Sequence, residues 1–369
     1  MSDAVLAALT RQYLEARAGP EVTFAWQGGE PTLAGLDFYG RALALQEKHA
    51  AGRRIRNTLQ TNGVLLGDDW GRFLRRHDFL VGISLDGPAA LHDAQRCSPG
   101  EQPTHAATMR GVEVLRRHGI EFNTLTAVTR ANARAPLAVY QFLKETGSRH
   151  MQFIPVVERA ASGAGAGPGR RLGQPPGSAG PGDGAEVTPW SVEPEAYGGF
   201  LMAVFDRWVR EDVGRIHVQL FEVALGAWLR AKAGLCLFAE VCGAGPVLER
   251  DGDVYACDHY AHAPYRLGNI ADRSLAEWMR DPRQERFGRY KAESLPGYCR
   301  RCDYRFACQG ECPKNRWCRT PDGEPGLNYL CVAYRRFFRH VDPCLRLMAQ
   351  LLLAGRAPAA IMDILAQRC

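Results

Sequence analysis

Cysteines form the chemical pattern that stands out first. Cys299-x2-Cys302-x5-Cys308-x3-Cys312 is a closely spaced run. A two-residue gap lets two thiolates of one turn face a single metal centre, and the next pair supplies ligands from the following loop. Cys236-x5-Cys242, then Cys257, and later Cys331 bring the set to eight, which is what two four-cysteine centres require. Spacing alone leaves the metal open between two structural zinc sites and iron–sulfur clusters. Cys97, Cys318, Cys344 and Cys369 have no obvious partners and read as plain thiols. Most of the 12 cysteines lie between Cys236 and Cys331; in a reducing cytosol such clustering points to metal or redox work rather than disulfides.

A second group of residues lies at turns that could hold a cofactor. Gly28-Gly29-Glu30-Pro31 follows a β-rich run directly. Paired glycines let a ligand approach the backbone, and a glutamate there could hold an ammonium group, although a simple turn reads equally well. Ser84-Leu85-Asp86-Gly87-Pro88 ends another such run, and His92, Asp93 and Arg96 follow within one or two helical turns. Each of these alone reads as a capping or surface group. Their combination at the ends of successive strands is what suggests a site.

The elements that must position these groups are legible from periodicity. Strand-like runs cover Val22–Gln27, Asn57–Thr61, Leu80–Leu85, Glu121–Val128 and Met151–Val157, most of them ending in Gly-, Asn- or Asp-containing turns. Helical patterns intervene, at 37–50 and at 106–117, where Met109, Val112, Val114 and Leu115 approach one face before Gly119. Strands separated by helices, with connections too long for hairpins, predict a parallel sheet covered by helices. Its ligands belong beyond the carboxyl ends of the strands, where these turns fall. Residues 160–186 break the pattern: 13 of the 27 are Gly or Pro, which predicts a flexible surface insertion. Helical patterns return at 193–210 and 219–232. In the cysteine-rich part, Val247–Arg250 and Asp253–Cys257 around Asp251-Gly252 spell a β-hairpin. A last apolar helix is expected near 344–353.

Composition sets the outer limits. The 369-residue chain can bury a full core and holds an expected two domains. Its net charge of +6 is spread without a basic block, which does not argue for nucleic acid. No apolar run reaches the roughly 18 residues of a spanning helix, and Met1-Ser2-Asp3 opens no signal peptide. A cytoplasmic protein without membrane partners is expected.

Trp26-Gln27-Gly28-Gly29-Glu30-Pro31, Gln60-Thr61-Asn62-Gly63, Ser84-Leu85-Asp86-Gly87-Pro88 with His92, Asp93 and Arg96, and Gln152-Phe153-Ile154-Pro155 together resemble the core of anaerobic sulfatase-maturating enzymes. These are radical S-adenosylmethionine (SAM) enzymes with a C-terminal iron–sulfur SPASM domain, and the likeness runs along nearly the whole chain. The resemblance implies an α/β fold: a partial (β/α) barrel lacking its first strand at 1–159, the insertion at 160–186, the helical end of the barrel at 187–235, the SPASM domain at 236–344 and a C-terminal helix at 345–369. It also implies two [4Fe-4S] clusters with interleaved ligands, Cys236, Cys242, Cys257 and Cys312 for the first, Cys299, Cys302, Cys308 and Cys331 for the second. Spacing alone would have grouped Cys299, Cys302, Cys308 and Cys312. Gly28, Gly29, Glu30 and Pro31 would face the amino group of SAM's methionine, with Asn62, Ser84 and Arg96 as further contacts. Asp258 falls at the position of the family's general base; read without the family, it is an exposed carboxylate at a hairpin end. The family reaction turns a Cys or Ser of a sulfatase into Cα-formylglycine: a hydrogen leaves Cβ, a base takes the thiol or hydroxyl proton, and an electron leaves through the auxiliary clusters. A reductant such as flavodoxin or ferredoxin is the implied redox partner.

One departure bears on activity. The family binds SAM on a further [4Fe-4S] cluster held by Cys-x3-Cys-x2-Cys, and these 369 residues hold no such triplet, the chain opening in what reads as a helix over 3–17. A shortened gene model is the expected account. This polypeptide, anaerobically reconstituted and reduced, is expected to make no 5′-deoxyadenosine from SAM, and detection of that product would overturn the expectation. Two other functions fit the same residues: a SPASM enzyme acting on another peptide, and a non-catalytic peptide-binding protein that retains clusters.

Overall fold

The computed structural model describes residues 1–160 and 187–367. The chain opens with helix α1 (Asp3–Ala16), capped by the Ser2 hydroxyl, which accepts from the Val5 N–H. Strands and helices then alternate: β1 (Glu21–Trp26), α2 (Leu36–His49), β2 (Arg54–Thr61), α3 (Asp68–Arg76), β3 (Leu80–Ser84), α4 (Ala89–Asp93), α5 (His105–Arg117), β4 (Phe122–Val128), α6 (Pro136–Glu145), β5 (His150–Pro155), α7 (Pro194–Glu211), β6 (His217–Val218) and α8 (Gln219–Trp228). The six strands form one sheet in sequential order. β1 pairs with β2, β4 with β5 and β5 with β6, all parallel, in registers such as Phe24 to Asn57 and Leu125 to Gln152. This is the helix-covered parallel sheet that the alternation implied, and in the first unit it puts the turns after β1 and β2 at one end.

The cysteine-rich part adds a three-stranded antiparallel sheet, β7 (Val247–Leu248), β8 (Asp253–Tyr255) and β9 (Arg266–Asn269). Its first turn is the anticipated Asp251-Gly252 pair. Helices α9 (Leu275–Met279), α10 (Pro282–Glu293), α11 (Gly297–Arg300) and α12 (Arg305–Cys308) follow, then the short pair β10 (Cys318–Arg319) and β11 (Pro325–Leu327), α13 (Cys331–Leu353) and α14 (Ile361–Ala366). The last long helix thus begins at Cys331, well ahead of the expected start near 344. Pro343 lies inside it; read in sequence, that proline marks a helix boundary, and apolar packing of Tyr334, Phe337, Phe338 and Val341 overrides the signal. The expected insertion, 160–186, lies outside the described residues except for its first residue.

The chain divides into two compact units. The first comprises Met1–Gly82, Glu113–Glu121 and Glu240–Ser294. In it Val5, Ala8, Leu9 and Tyr13 of α1 pack on Val254, Leu267, Ile270, Leu275 and Trp278. Gln12 ties the same surfaces, donating to the Ile270 carbonyl and accepting from the Leu275 N–H. The N-terminal helix therefore shares a core with the first half of the cysteine-rich part, a grouping that sequence order conceals. The second unit comprises Ile83–Val112, Phe122–Ala239 and Leu295–Cys369. Its core is aromatic: Phe205 and Phe221 meet edge-on at 5.2 Å, Phe221 stacks on Phe337 at 5.7 Å, and Tyr197 meets Tyr334 at 5.9 Å.

Candidate active site

In the first unit the turn after β1 is built by Gly28 and Gly29, whose φ values of 91° and 55° fall in the left-handed region. Nothing lies within 4 Å of where a Cβ would stand at either position, so the backbone here is open to close approach by a ligand. Glu30 is more committed than its sequence position suggested. Its Oε1 accepts from the Thr32 N–H at 3.0 Å, the Thr32 hydroxyl and the Thr61 hydroxyl at 2.6 Å, while Oε2 accepts from the Asn62 N–H at 2.8 Å. One carboxylate thereby clamps the turns after β1 and β2 together. Asn62 uses its Oδ1 to accept from the Val64 N–H, and Pro31 opens the short 3-10 turn that follows.

In the second unit Ser84 ends β3, and Asp86 is buried two residues on. The Asp86 carboxylate accepts from Arg96 Nε at 2.5 Å and Nη2 at 3.3 Å, and from the Ala127 N–H at 2.8 Å. Burial raises its carboxyl above the ordinary range, against the pull of Arg96 and the Ala127 N–H. Asn132 donates to the Asp86 carbonyl and holds the same turn from the next loop. His92 is wholly buried. Its Nδ1 accepts from the Asp86 N–H and its Nε2 meets the Thr104 hydroxyl at 3.2 Å, which in turn donates to the Arg96 carbonyl. The quoted motif is therefore one network that fixes Arg96 by its side chain and its backbone.

The cysteines sort in the same plain way. Cys299, Cys302, Cys308 and Cys331 belong to the second unit, and the thiols of Cys299, Cys308 and Cys331 are raised, first by burial and then by neighbouring thiols of this set. Burial pushes Cys308 and Cys331 up to about 12 each, with Cys331 and Cys299 adding to the former and Cys299 and Cys302 to the latter. Thiols crowded in this way are the donor set that a cationic centre would deprotonate and hold, so these residues fit a tetrathiolate cluster. Ahead of Cys331 the chain folds back at Asn328. The Asn328 side-chain amide donates to Glu311 Oε2 and, at 3.3 Å, to the Cys312 carbonyl, while the Asn328 backbone carbonyl accepts from the Cys331 N–H at 3.0 Å. Arg316, also buried, donates to the carbonyls of Gln309, Gly310 and Glu311. Of the other expected set, Cys242 and Cys257 lie in the first unit, Cys236 and Cys312 in the second.

Gln284 of α10 holds the stretches that carry Cys242 and Cys257. Its amide donates to the Gly243 carbonyl at 2.9 Å and the Ala256 carbonyl at 3.1 Å. One turn on, Gly288 accepts from the Cys242 N–H at 3.0 Å, and a Cβ there would stand 2.8 Å from the Cys242 carbonyl oxygen, too close for any side chain. Neither Gln284 nor Asn328 had a sequence signal, since an amide that ties two loops leaves no periodic trace. Asp258 is exposed at the start of a 3-10 turn, and its Oδ1 accepts from the Cys257 thiol at 3.1 Å and the His259 N–H at 2.8 Å. Cys257, Asp258 and His259 bring their ligand atoms within 4.8 Å of one another. A Cys257 bound to metal as thiolate loses its S–H, which leaves the carboxylate able to accept a different proton.

No helix among the described residues is long and apolar enough to cross a membrane. The pattern of the SPASM iron–sulfur cluster-binding domain family matches residues 243–303. The chain is 44% identical, over 99% of its length and 86% of the relative's, to the serine-type anaerobic sulfatase-maturating enzyme of Bacteroides thetaiotaomicron. It is 32% identical, over 93% of its length and 87% of the relative's, to the cysteine-type enzyme of Clostridium perfringens. The solved structure of native anSMEcpe with bound AdoMet and Kp18Cys peptide superposes with a TM-score of 0.82 at 32% identity, covering 95% of this chain and 91% of that one.

Proposed function

Because this chain belongs to the anaerobic sulfatase-maturating enzymes, radical SAM oxidoreductases that convert a Cys or Ser of a sulfatase to Cα-formylglycine, we propose that its target is a serine within a sulfatase polypeptide. The observation that carries this reading is the closer identity to the serine-type than to the cysteine-type relative. Its SPASM domain binds iron–sulfur clusters. Two [4Fe-4S] clusters are the finer reading, supported by the eight spaced thiols and by the gathering of Cys299, Cys302, Cys308 and Cys331.

When bound, SAM and the clusters supply the oxidising chemistry: removal of a hydrogen from the target's Cβ and acceptance of an electron. The chain's own residues have the remaining tasks. Gly28 and Gly29 offer an open backbone beside Glu30, whose clamp holds the turns after β1 and β2 as contacts for SAM, Asn62 among them. Ser84 and the anchored Arg96 are further proposed contacts for SAM. Asp258 takes the proton of the target hydroxyl, a role that its exposure and its place beside Cys257 support. Removing that proton makes the oxidised carbon a better electron donor, and the electron then has a nearby acceptor. Flavodoxin or ferredoxin is the proposed redox partner.

The test uses this chain extended ahead of Met1 by a segment carrying the family's Cys-x3-Cys-x2-Cys. With SAM and reductant, a Ser-x-Pro-x-Arg peptide is expected to lose two hydrogen atoms by mass. Asp258→Asn should still form 5′-deoxyadenosine while losing formylglycine by about a hundredfold, the usual scale of a general base. Conversion of Cys-x-Pro-x-Arg peptides alone would sink the serine assignment. An Asp258→Asn chain with full product yield would remove Asp258 from the base role.

A further inference from the structure

Between Cys308 and Cys312 the chain passes through Gln309, Gly310 and Glu311 with φ values of 48°, 71° and 53°. Residues with side chains resist such a left-handed run, and Arg316 holds it in place. The buried guanidinium donates through Nε to the Gly310 carbonyl at 2.8 Å. Its Nη2 donates to the carbonyls of Gln309 at 2.7 Å and Glu311 at 3.0 Å. Three carbonyls gathered on one cation turn the N–H groups of the loop the other way, as in backbone concavities that bind anions. The Gly310 N–H meets the Cys308 sulfur and favours its thiolate, while the Glu311 N–H closes on the Cys308 carbonyl at 2.9 Å. Gly310 leaves no room for a side chain, since a Cβ would stand 2.3 Å from Leu295 Cδ2 and 2.7 Å from Arg316 Nη2. The positive charge of Arg316 also favours the ionised form of Cys299. One buried cation thus serves two thiols of the set. Glu311 works against it: its buried carboxylate, which accepts from the Asn315 and Asn328 amides, disfavours ionisation of Cys308.

We infer that Arg316 is a positioning residue that raises the reduction potential of the centre held by Cys299, Cys302, Cys308 and Cys331, and that Glu311 lowers it. The inference rests on the proposed second cluster at these thiols. On reduction one electron enters the cluster and no bond is made or broken, so the centre becomes more negative. A fixed positive charge and an N–H aimed at a ligand sulfur both favour that state, and a fixed carboxylate disfavours it. Burial decides the size of the effect. Arg335 also favours the thiolate of its neighbour Cys331, but it is exposed on α13, where water and salt screen its charge. Arg316 is shielded from both and makes the centre a readier electron acceptor.

The reconstituted chain is titrated anaerobically with dithionite in the presence of redox dyes, and the second cluster is followed by the EPR signal that Cys331→Ala lacks. Arg316→Gln is expected to keep the iron of the parent while its midpoint falls. At a fixed ambient potential the reduced-to-oxidised ratio should drop about tenfold, which is 59 mV for a one-electron couple. Arg316→Lys keeps the charge but not the fork that spans three carbonyls, and its midpoint should fall by less. Glu311→Gln should move the midpoint the opposite way, and Arg335→Gln should leave it in place. An unchanged midpoint in Arg316→Gln overturns the inference, as does an equal fall in Arg335→Gln. Shifts of one sign in Arg316→Gln and Glu311→Gln also overturn it, since general damage would give that result. Should Arg316→Gln lose half its iron, Arg316→Lys and Glu311→Gln decide: opposite shifts uphold the inference, and shifts of one sign or none overturn it. A parent without iron and sulfide overturns the cluster reading beneath it.

Discussion

A chain carrying Cys331→Ala is expected to hold about half the iron of the parent, and Cys302→Ala with Cys331→Ala is expected to hold the same half. The parent should bind about eight irons with matching sulfide, as two four-iron clusters require. If Cys331 shares a centre with Cys299, Cys302 and Cys308, losing either Cys302 or Cys331 empties the same cluster, and the second loss adds nothing. The competing arrangement is the one that spacing favours, with Cys312 in the place of Cys331. It predicts that the double variant loses both clusters, because each substitution would strike a different one. Cys312→Ala with Cys302→Ala separates the arrangements from the other side, expected to leave little iron in the first and half in the second. The interleaved outcome is the one we propose; the fold-back at Asn328 ties the start of α13 to Glu311 and to the Cys312 carbonyl. Iron and sulfide per chain after anaerobic reconstitution decide the matter. About two zincs and no sulfide would remove the clusters altogether.

The candidate ligands stand out in the sequence because each is a cysteine at a short, countable spacing; the network of Asn328, Glu311 and Arg316 around them does not, because its partners are backbone carbonyls and each other. The sheet was legible from its turns. β1 to β5 fall within two or three residues of the expected runs, because β-rich stretches there are set off by helical ones and β1, β2 and β3 run into Gly28-Gly29, Asn62-Gly63 and Asp86-Gly87. The unit boundaries were not legible. Nothing in Val5, Leu9 or Tyr13 reveals that the face they form is completed by Val254 and Trp278, some 250 residues along the chain. Glu30 shows the same limit at a single residue. Its type and place suggested a ligand for an ammonium group, and only the structure shows that Thr32, Thr61 and the Asn62 N–H already fill much of its capacity.

Acidification is expected to destabilise the fold through His92, and His92→Asn should remove that part of the pH dependence. The imidazole is wholly enclosed, and its pKa is held down at about 4, first by burial and then by the positive charges of Arg96 and His105, with Asp93 opposing. Its hydrogen bonds suit only the neutral ring: Nδ1 accepts from the Asp86 N–H, which leaves Nε2 to carry the proton toward Thr104. A second proton would fall on Nδ1 and meet that N–H head-on. The unfolded chain, with an ordinary histidine near 6.5, binds this proton more readily than the native chain. Between about 6.5 and 4 the unfolded state therefore carries more protons, and stability rises with pH through that window. The stabilisation is complete above about 6.5 and is lost as the pH falls to about 4, a change of about 3 kcal/mol. Acidic side chains also titrate in this range, so the informative quantity is the difference between parent and His92→Asn in urea midpoints across the window. The parent should fall more steeply, and the two slopes should agree above pH 7. Parallel slopes throughout would show that His92 takes up its proton without disturbing the Asp86 turn, and that the network around Arg96 is looser than its hydrogen bonds imply.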